Sequence, residues 1–329
     1  MTFDAILNYF SGKKVLVTGG TGLIGRQVVE ILCDAGAIVT SVSMDNLAID
    51  RRVQYINANL SYFDKCLDIT HDMDCVFHLA GIKGSIDITK KCPATFLVPM
   101  LQMNTNILEA CRINNVQKVI YTSSIGAYSS ADVFVESDDY ASLPMDEFPG
   151  WAKRMAEQQI LADIIQYGLD YAAVRLANVY GPGDNFDSQN AMVIPSLISR
   201  IYGGEQPVMI WGDGSAIRDF AYSKDIAEGI IRAMYYGTDS KYVNLGGGNE
   251  YSICELVKTL RDIVDFDYKF DTSKYSGYPK RVMDISVAKS TLGYNPSTAL
   301  RDGIKMTCDW FVSHKCEYLE KKNYFCETN

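Results

Sequence analysis

The chain has 329 residues, 47% of them apolar and 22% charged, with a net charge of −9. That balance belongs to a globular protein with a large buried core, more naturally in two lobes than in one. With no basic run longer than a few residues, the sequence argues against nucleic acid and membrane surfaces as main partners, while a few arginines still suffice for an anionic small ligand.

Nine cysteines lie scattered without a CxxC pair, and there are three histidines, so reduced thiols in the cytoplasm are expected and a metal site is not. Residues 1–10 are too short and polar for a signal peptide, and no apolar run reaches membrane-spanning length.

In chain order, the first predicted element is the strand Lys14-Val15-Leu16-Val17-Thr18, which ends in glycines. A helix follows from Leu23 to about Ala35, closed by Gly36, and Ala37 to Ser43 reads as a second buried strand. Further strands are predicted at Val53 to Ile56, Cys75 to Leu79, Lys118 to Tyr121 and Tyr171 to Arg175, with helices over Phe96 to Asn114 and Trp151 to Tyr167. The alternation predicts an α/β fold, a Rossmann-type doubly wound parallel sheet. After Gly181-Pro182-Gly183 the composition turns irregular. A smaller α/β C-terminal substrate lobe is therefore expected over residues 178–329. The cofactor domain would span residues 1–177, with a returning segment near 219–245.

Gly19, Gly22 and Gly25 form a GxxGxxG run between the first strand and helix, in Gly19-Gly20-Thr21-Gly22-Leu23-Ile24-Gly25. Glycines permit a tight turn and let backbone amides approach a pyrophosphate at the helix N-terminus. The triplet alone is weak evidence, because a plain strand-to-helix turn also explains it. Asp45 tips the balance, because it ends the second strand twenty residues after Gly25, where a carboxylate takes the adenosine ribose hydroxyls. A carboxylate there repels a 2′-phosphate, so NAD is expected rather than NADP, and Asn46 strengthens the match. Asn59-Leu60 and Leu79-Ala80-Gly81 would border the cofactor, although they read equally well as core and turn.

These motifs in this order resemble the extended short-chain dehydrogenases/reductases that act on nucleotide sugars. The likeness spans nearly the whole chain: Val17-Thr18-Gly19-Gly20-Thr21-Gly22, His78-Leu79-Ala80-Gly81, Asn104 in a helix, Tyr121-Thr122-Ser123-Ser124, Ala152-Lys153, Asn178-Val179-Tyr180-Gly181-Pro182, Trp211-Gly212-Asp213-Gly214-Ser215, Arg218-Asp219-Phe220 and Leu292-Gly293-Tyr294-Asn295-Pro296. Within that group the chain is most similar to GDP-fucose synthase and related GDP-sugar enzymes, through Ala80-Gly81-Ile82-Lys83-Gly84-Ser85, Asp184-Asn185-Phe186 and Pro279-Lys280-Arg281-Val282-Met283-Asp284. The resemblance implies a GDP-linked sugar substrate and places Asn104 and Lys153 among the cofactor contacts.

In that family a tyrosine four residues before a lysine handles the proton, helped by a serine or threonine, and the lysine cation lowers the phenol pKa. Ser124 matches the serine and Lys153 the lysine, but Pro149 stands at the tyrosine position. Three explanations stay open. Another group takes the proton, with Tyr128, Tyr140 or an acid of the segment Asp132 to Asp139 as candidates. Or Ser124 and Lys153 hold a water that does the work. Or the protein binds sugar nucleotides without chemistry. The cysteine and histidine that GDP-fucose synthase uses for epimerisation at C3 and C5 correspond to Gly126 and Met192, and the Asp-Glu pair of the 4,6-dehydratases corresponds to Ile125-Gly126. What the resemblance leaves is redox at one carbon, C4 first, or C4 epimerisation through a transient ketone.

For the substrate, Asn178, Arg218 and Arg281 match family residues that reach the diphosphate, where guanidinium geometry suits paired hydrogen bonds. Lys83 and Ser85 would lie near the hexose, with Ser124. A homodimer is implied through the helices Phe96 to Asn114 and Trp151 to Tyr167; Leu101, Ile107, Leu108, Met155 and Ile160 fit such a face and fit a monomer core as well.

Overall fold

The protein is described by a computed structural model covering residues 2–314 and 317, apart from 85, 139, 141, 188, 189, 240, 275 and 276. Its centre is a seven-stranded sheet formed by β1 (Lys14–Thr18), β2 (Ile38–Ser43), β3 (Gln54–Asn57), β4 (Cys75–His78), β5 (Lys118–Ser124), β6 (Asp170–Leu176) and β7 (Tyr242–Leu245), in the order β7-β6-β5-β4-β1-β2-β3. Every pairing is parallel. Helices cover both faces, so β4 is buried along its whole length and β1 beyond its first residue; this explains their unbroken apolar runs.

The helices that matter for the site are α1 (Gly25–Asp34), α2 (Pro93–Ile113), α3 (Glu147–Tyr167) and α4 (Ser223–Tyr236). Two of them begin earlier than the periodicity predicts. Pro93 opens α2, and Pro149 sits inside the first turn of α3. The first-turn amides of a helix have no carbonyl partner within it, so proline costs nothing there and does not stop the helix. Gly168 closes α3 in the left-handed conformation, at φ 67°.

The chain leaves the sheet after β6 and returns to it as β7. Much of the rest builds a second lobe with its own core, in which Leu197 and Ile198 meet Leu256, Leu260, Ile304 and Phe311. Strands Val208–Trp211 and Tyr268–Asp271 pair in parallel in this part of the chain. A four-stranded sheet, Tyr251–Ser252, Ile217–Arg218, Lys280–Met283 and Val133–Phe134, ties late segments to the loop that precedes α3. The register in this sheet pairs Arg218 with Arg281. Three of these strands have only two residues, too few to show a pattern, and Lys280–Met283 opens with two charged residues, so none of the four was legible as sequence.

Candidate active site

The turn after β1 is shaped for close approach. Gly19 has φ 69°, and a Cβ there would lie 3.0 Å from the Ala80 backbone. A Cβ on Gly25 would lie 2.1 Å from the Gly19 carbonyl oxygen. Glycine alone fits, and the turn delivers its amides to the positive end of α1. At the end of β1, the Thr18 hydroxyl accepts from the amides of Leu79 and Ala80 at 3.2 and 3.1 Å and meets His78 Nδ1 at 2.8 Å. This draws the 79–81 loop against the glycines. Burial pushes the His78 imidazole down to about 3, so it is a neutral hydrogen-bonding strut. Asp45, just past β2, accepts from the Thr21 hydroxyl at 2.9 Å and from the Leu47 amide at 3.2 Å.

A cleft of about 1390 Å³ starts at this turn. That exceeds the roughly 300–1,000 Å³ of a pocket for one small molecule, so two ligands fit side by side. Its wall holds Gly19, Thr21, Gly22, Leu23, Ile24, Gly25, Asp45, Asn59, Leu60, Leu79, Ala80 and Gly81, and also Ser124, Lys153, Lys83, Asn178, Arg218 and Arg281. The structure thus brings together most of the residues that the sequence singled out. Two stand off the wall. Asn46 is exposed and accepts from the Asn57 side chain at 2.7 Å. Asn104 is buried, with its amide engaged by His78, Tyr121 and the Ala152 carbonyl; it clamps β4 and β5 to α3 instead of reaching into the cleft. Ser85 lies outside the described residues.

Six lysines and arginines face four carboxylates along this wall, against a chain charge of −9. The cleft is locally cationic, which favours anions. Asn178 donates to the Asp219 carbonyl at 3.1 Å, and Lys83 lies 3.7 Å from Asp184. Arg200, which no sequence motif singles out, lines the cleft while held by Glu205 at 2.5 and 2.7 Å and by the Met209 carbonyl at 2.7 Å.

Around the missing tyrosine, Ser124 accepts from the Gly126 amide at 3.1 Å, which leaves its own O–H for donation. The Lys153 ammonium donates to the Thr122 carbonyl at 2.7 Å and lies 4.9 Å from the Tyr121 ring centre. Burial lowers it to about 8. Pro149 is on the same wall.

The replacement bases expected from the sequence are elsewhere. Tyr128 is fully buried and donates to Asn244 Oδ1 at 2.7 Å, and Tyr140 donates to Glu157 at 2.8 Å. Both rings stack around the Arg175 guanidinium, and burial raises both phenols far above their ordinary value. Asp132 and Asp138 are not on the cleft wall, Glu136 accepts from the Asn244 amide at 2.8 Å, and Asp139 lies outside the described residues. An acid that the sequence reading missed is there instead. Asp146 lines the cleft and pairs with Arg281 at 3.1 and 3.4 Å.

A parallel sheet with a glycine turn at its switch point, and a carboxylate just past the second strand sharing one cleft with a Ser–Lys pair, is the arrangement of an extended short-chain dehydrogenase/reductase. The model of the NAD dependent epimerase/dehydratase family matches residues 15–246, and the chain belongs to that family. It is 30% identical to GDP-L-fucose synthase 1 of Arabidopsis thaliana, over 92% of this chain and 94% of that one. It is 27% identical to GDP-L-colitose synthase of Yersinia pseudotuberculosis, over 92% of this chain and 99% of the relative. Among solved structures it resembles UDP-N-acetylglucosamine 4-epimerase from Methanobrevibacter ruminantium M1 in complex with UDP-N-acetylmuramic acid. That match has a TM-score of 0.82 at 30% identity and covers 92% of this chain and 99% of the other. The protein is an enzyme with NAD as its cofactor, and the glycine cradle, which any Cβ would fill, fits that group.

Proposed function

We propose that the protein carries out redox chemistry at C4 of the sugar of a nucleotide sugar, GDP-linked in preference to other bases, as net oxidation or reduction or as C4 epimerisation through a transient ketone. The observation that carries this reading is the single cleft in which Ser124 and Lys153 share a wall with Arg218 and Arg281. Asp45 takes the adenosine ribose diol, and the amides of the glycine turn take the pyrophosphate. Bound NAD supplies an acceptor or donor for the hydrogen on the sugar carbon. Ser124 donates its O–H to the oxygen of that carbon, and the Lys153 cation steadies charge that develops there. Arg218 and Arg281, side by side on neighbouring strands, hold the sugar nucleotide's diphosphate with Asn178. Lys83 reaches toward the hexose. The GDP preference rests on relatives named for GDP-sugars; neighbours named for UDP-sugars make uridine the alternative base.

The same reading divides the chain into a cofactor domain over residues 1–177, rejoined near 219–245, and a sugar-nucleotide lobe from 178 onward. It also includes a cytoplasmic homodimer. Among the described residues no helix is long and apolar enough to cross a membrane. Ile107, Leu108 and Ile160 are spent in the core, while Val98, Trp151, Met155 and Ile165 leave an apolar surface on α2 and α3 for a second copy. Denaturing the purified protein and identifying the released nucleotide, then following loss of C4 deuterium from GDP-, UDP-, CDP- and dTDP-hexoses, tests the function. Binding without any label loss is the result expected of a sugar-nucleotide binder and would overturn it.

A further inference from the structure

Resting on that redox reading, the geometry points to Asp146 as the proton acceptor that replaces the missing phenol. Asp146 is the N-cap of α3, yet its side chain makes no capping hydrogen bond. An N-cap carboxylate ordinarily accepts from the second or third amide of its helix. The third residue here is Pro149, which has no amide. One substitution therefore removes the phenol from the site and also a donor that would hold Asp146 on the helix end.

The carboxylate turns instead toward Gly126. A Cβ built on Gly126 would lie 2.2 Å from Asp146 Oδ2, so the acid occupies the volume that any side chain two residues after Ser124 would fill. The backbone holds it there. The Asp146 amide donates to the Gly126 carbonyl at 3.1 Å, and the Gly150 amide donates to the Asp146 carbonyl at 2.6 Å. Gly150 makes this approach possible, because a Cβ on it would sit 2.6 Å from the Gly126 oxygen. Lys153 lies seven residues beyond Asp146, in the second turn of α3, and both line the cleft with Ser124. The Asp146 side chain is 37% exposed, so an acquired proton can pass to water.

In the oxidation direction the hydroxyl O–H bond breaks and its proton goes to an Asp146 carboxylate oxygen. The electron pair of that bond forms the second C–O bond of the ketone. The C–H hydrogen leaves with its own electron pair to oxidised NAD, which is reduced. Reduction runs the same steps backward. Arg281 bridges this acid to the diphosphate end of the cleft, so a bound sugar nucleotide competes with Asp146 for the guanidinium and releases the carboxylate as it arrives.

The test uses the full-length protein, NAD and C4-deuterated GDP- and UDP-hexoses, with wild type, Asp146→Asn, Asp146→Glu and Asp146→Ala. Calorimetry with GDP, UDP and NAD reads binding apart from turnover. Asp146→Asn is expected to bind nucleotide at least as tightly as wild type, because Arg281 loses a competitor, while hydride transfer falls about 10²–10⁴-fold. Asp146→Glu should recover part of the rate, and added formate should restore Asp146→Ala. Asn turning over within threefold of wild type, or losing rate only in proportion to nucleotide affinity, overturns the assignment and leaves the redox reading standing. A wild type that binds both ligands and transfers no label from any sugar removes the redox reading and this assignment together.

Discussion

Glu157 and Arg175 form a two-pronged ion pair, at 2.7 and 2.8 Å, that is almost wholly out of water. The guanidinium lies 4.2 Å from the Tyr128 ring centre and 3.5 Å from that of Tyr242, and Tyr140 adds a hydroxyl to Glu157. The pair locks α3, which carries Lys153, to β6 of the central sheet.

Breaking one partner strands the other without solvent. Glu157→Ala is therefore expected to destabilise the protein by about 3–5 kcal/mol. Urea denaturation at neutral pH measures this, and a loss under about 1 kcal/mol would show that the cage tolerates an unpaired guanidinium.

The proposed contact of Asp45 with the adenosine ribose has a consequence for cofactor choice. Wild type should bind NAD at least tenfold more tightly than NADP, and Asp45→Ala should narrow that ratio by removing a clash worth on the order of 1–3 kcal/mol. Calorimetric titration of both dinucleotides decides it; equal affinities in wild type would show that Asp45 does not face the 2′ position.

Arg218→Ala and Arg281→Ala should each weaken GDP binding about tenfold or more while NAD affinity stays within twofold, since both side chains belong to neighbouring strands away from the glycine turn. Calorimetry with GDP and NAD separates the two effects. Unchanged GDP affinity in both variants would place the diphosphate elsewhere.

Asp219 gives a pH signature. It is buried and accepts from the Gly247 amide at 2.7 Å, and burial pushes its carboxyl from 3.8 up to about 7. The native state therefore binds more protons than the unfolded chain between pH 4 and about 7, so this residue's contribution is fully present below that window and lost as pH rises through it. Relative to wild type, Asp219→Asn should gain stability as pH climbs from 4 to 8. Melting temperatures across that range test the slope; a constant difference would contradict it.

Much of the frame was legible because its signals are physical necessities. Parallel strands buried on both faces must be apolar throughout, as in Cys75–His78, and a backbone approaching Ala80 must lack a Cβ at Gly19. The proton acceptor was not legible. Met145-Asp146-Glu147 before a helix reads as an ordinary cap, and the clue was distributed: a proline at the third helical position, and a glycine at 126 far away in sequence. Tyr128 and Tyr140 misled for the opposite reason. Their phenols suit the chemistry, but nothing local announces a buried arginine between them, because Arg175 comes from a strand that packs there only in three dimensions. Ile107, Leu108 and Ile160 likewise fitted two surfaces in sequence and proved to belong to the core.

The contact between Gly126 and Asp146 limits how this enzyme can be redesigned. Grafting a cysteine at 126, the obvious first move toward a C3/C5 epimerase, would thrust a Cβ into the carboxylate. The newcomer could settle only by evicting the acid onto the helix end, where Pro149 offers it one capping amide fewer than usual. The two positions share room for a single proton carrier, so moving between chemistries here means exchanging the pair in one step.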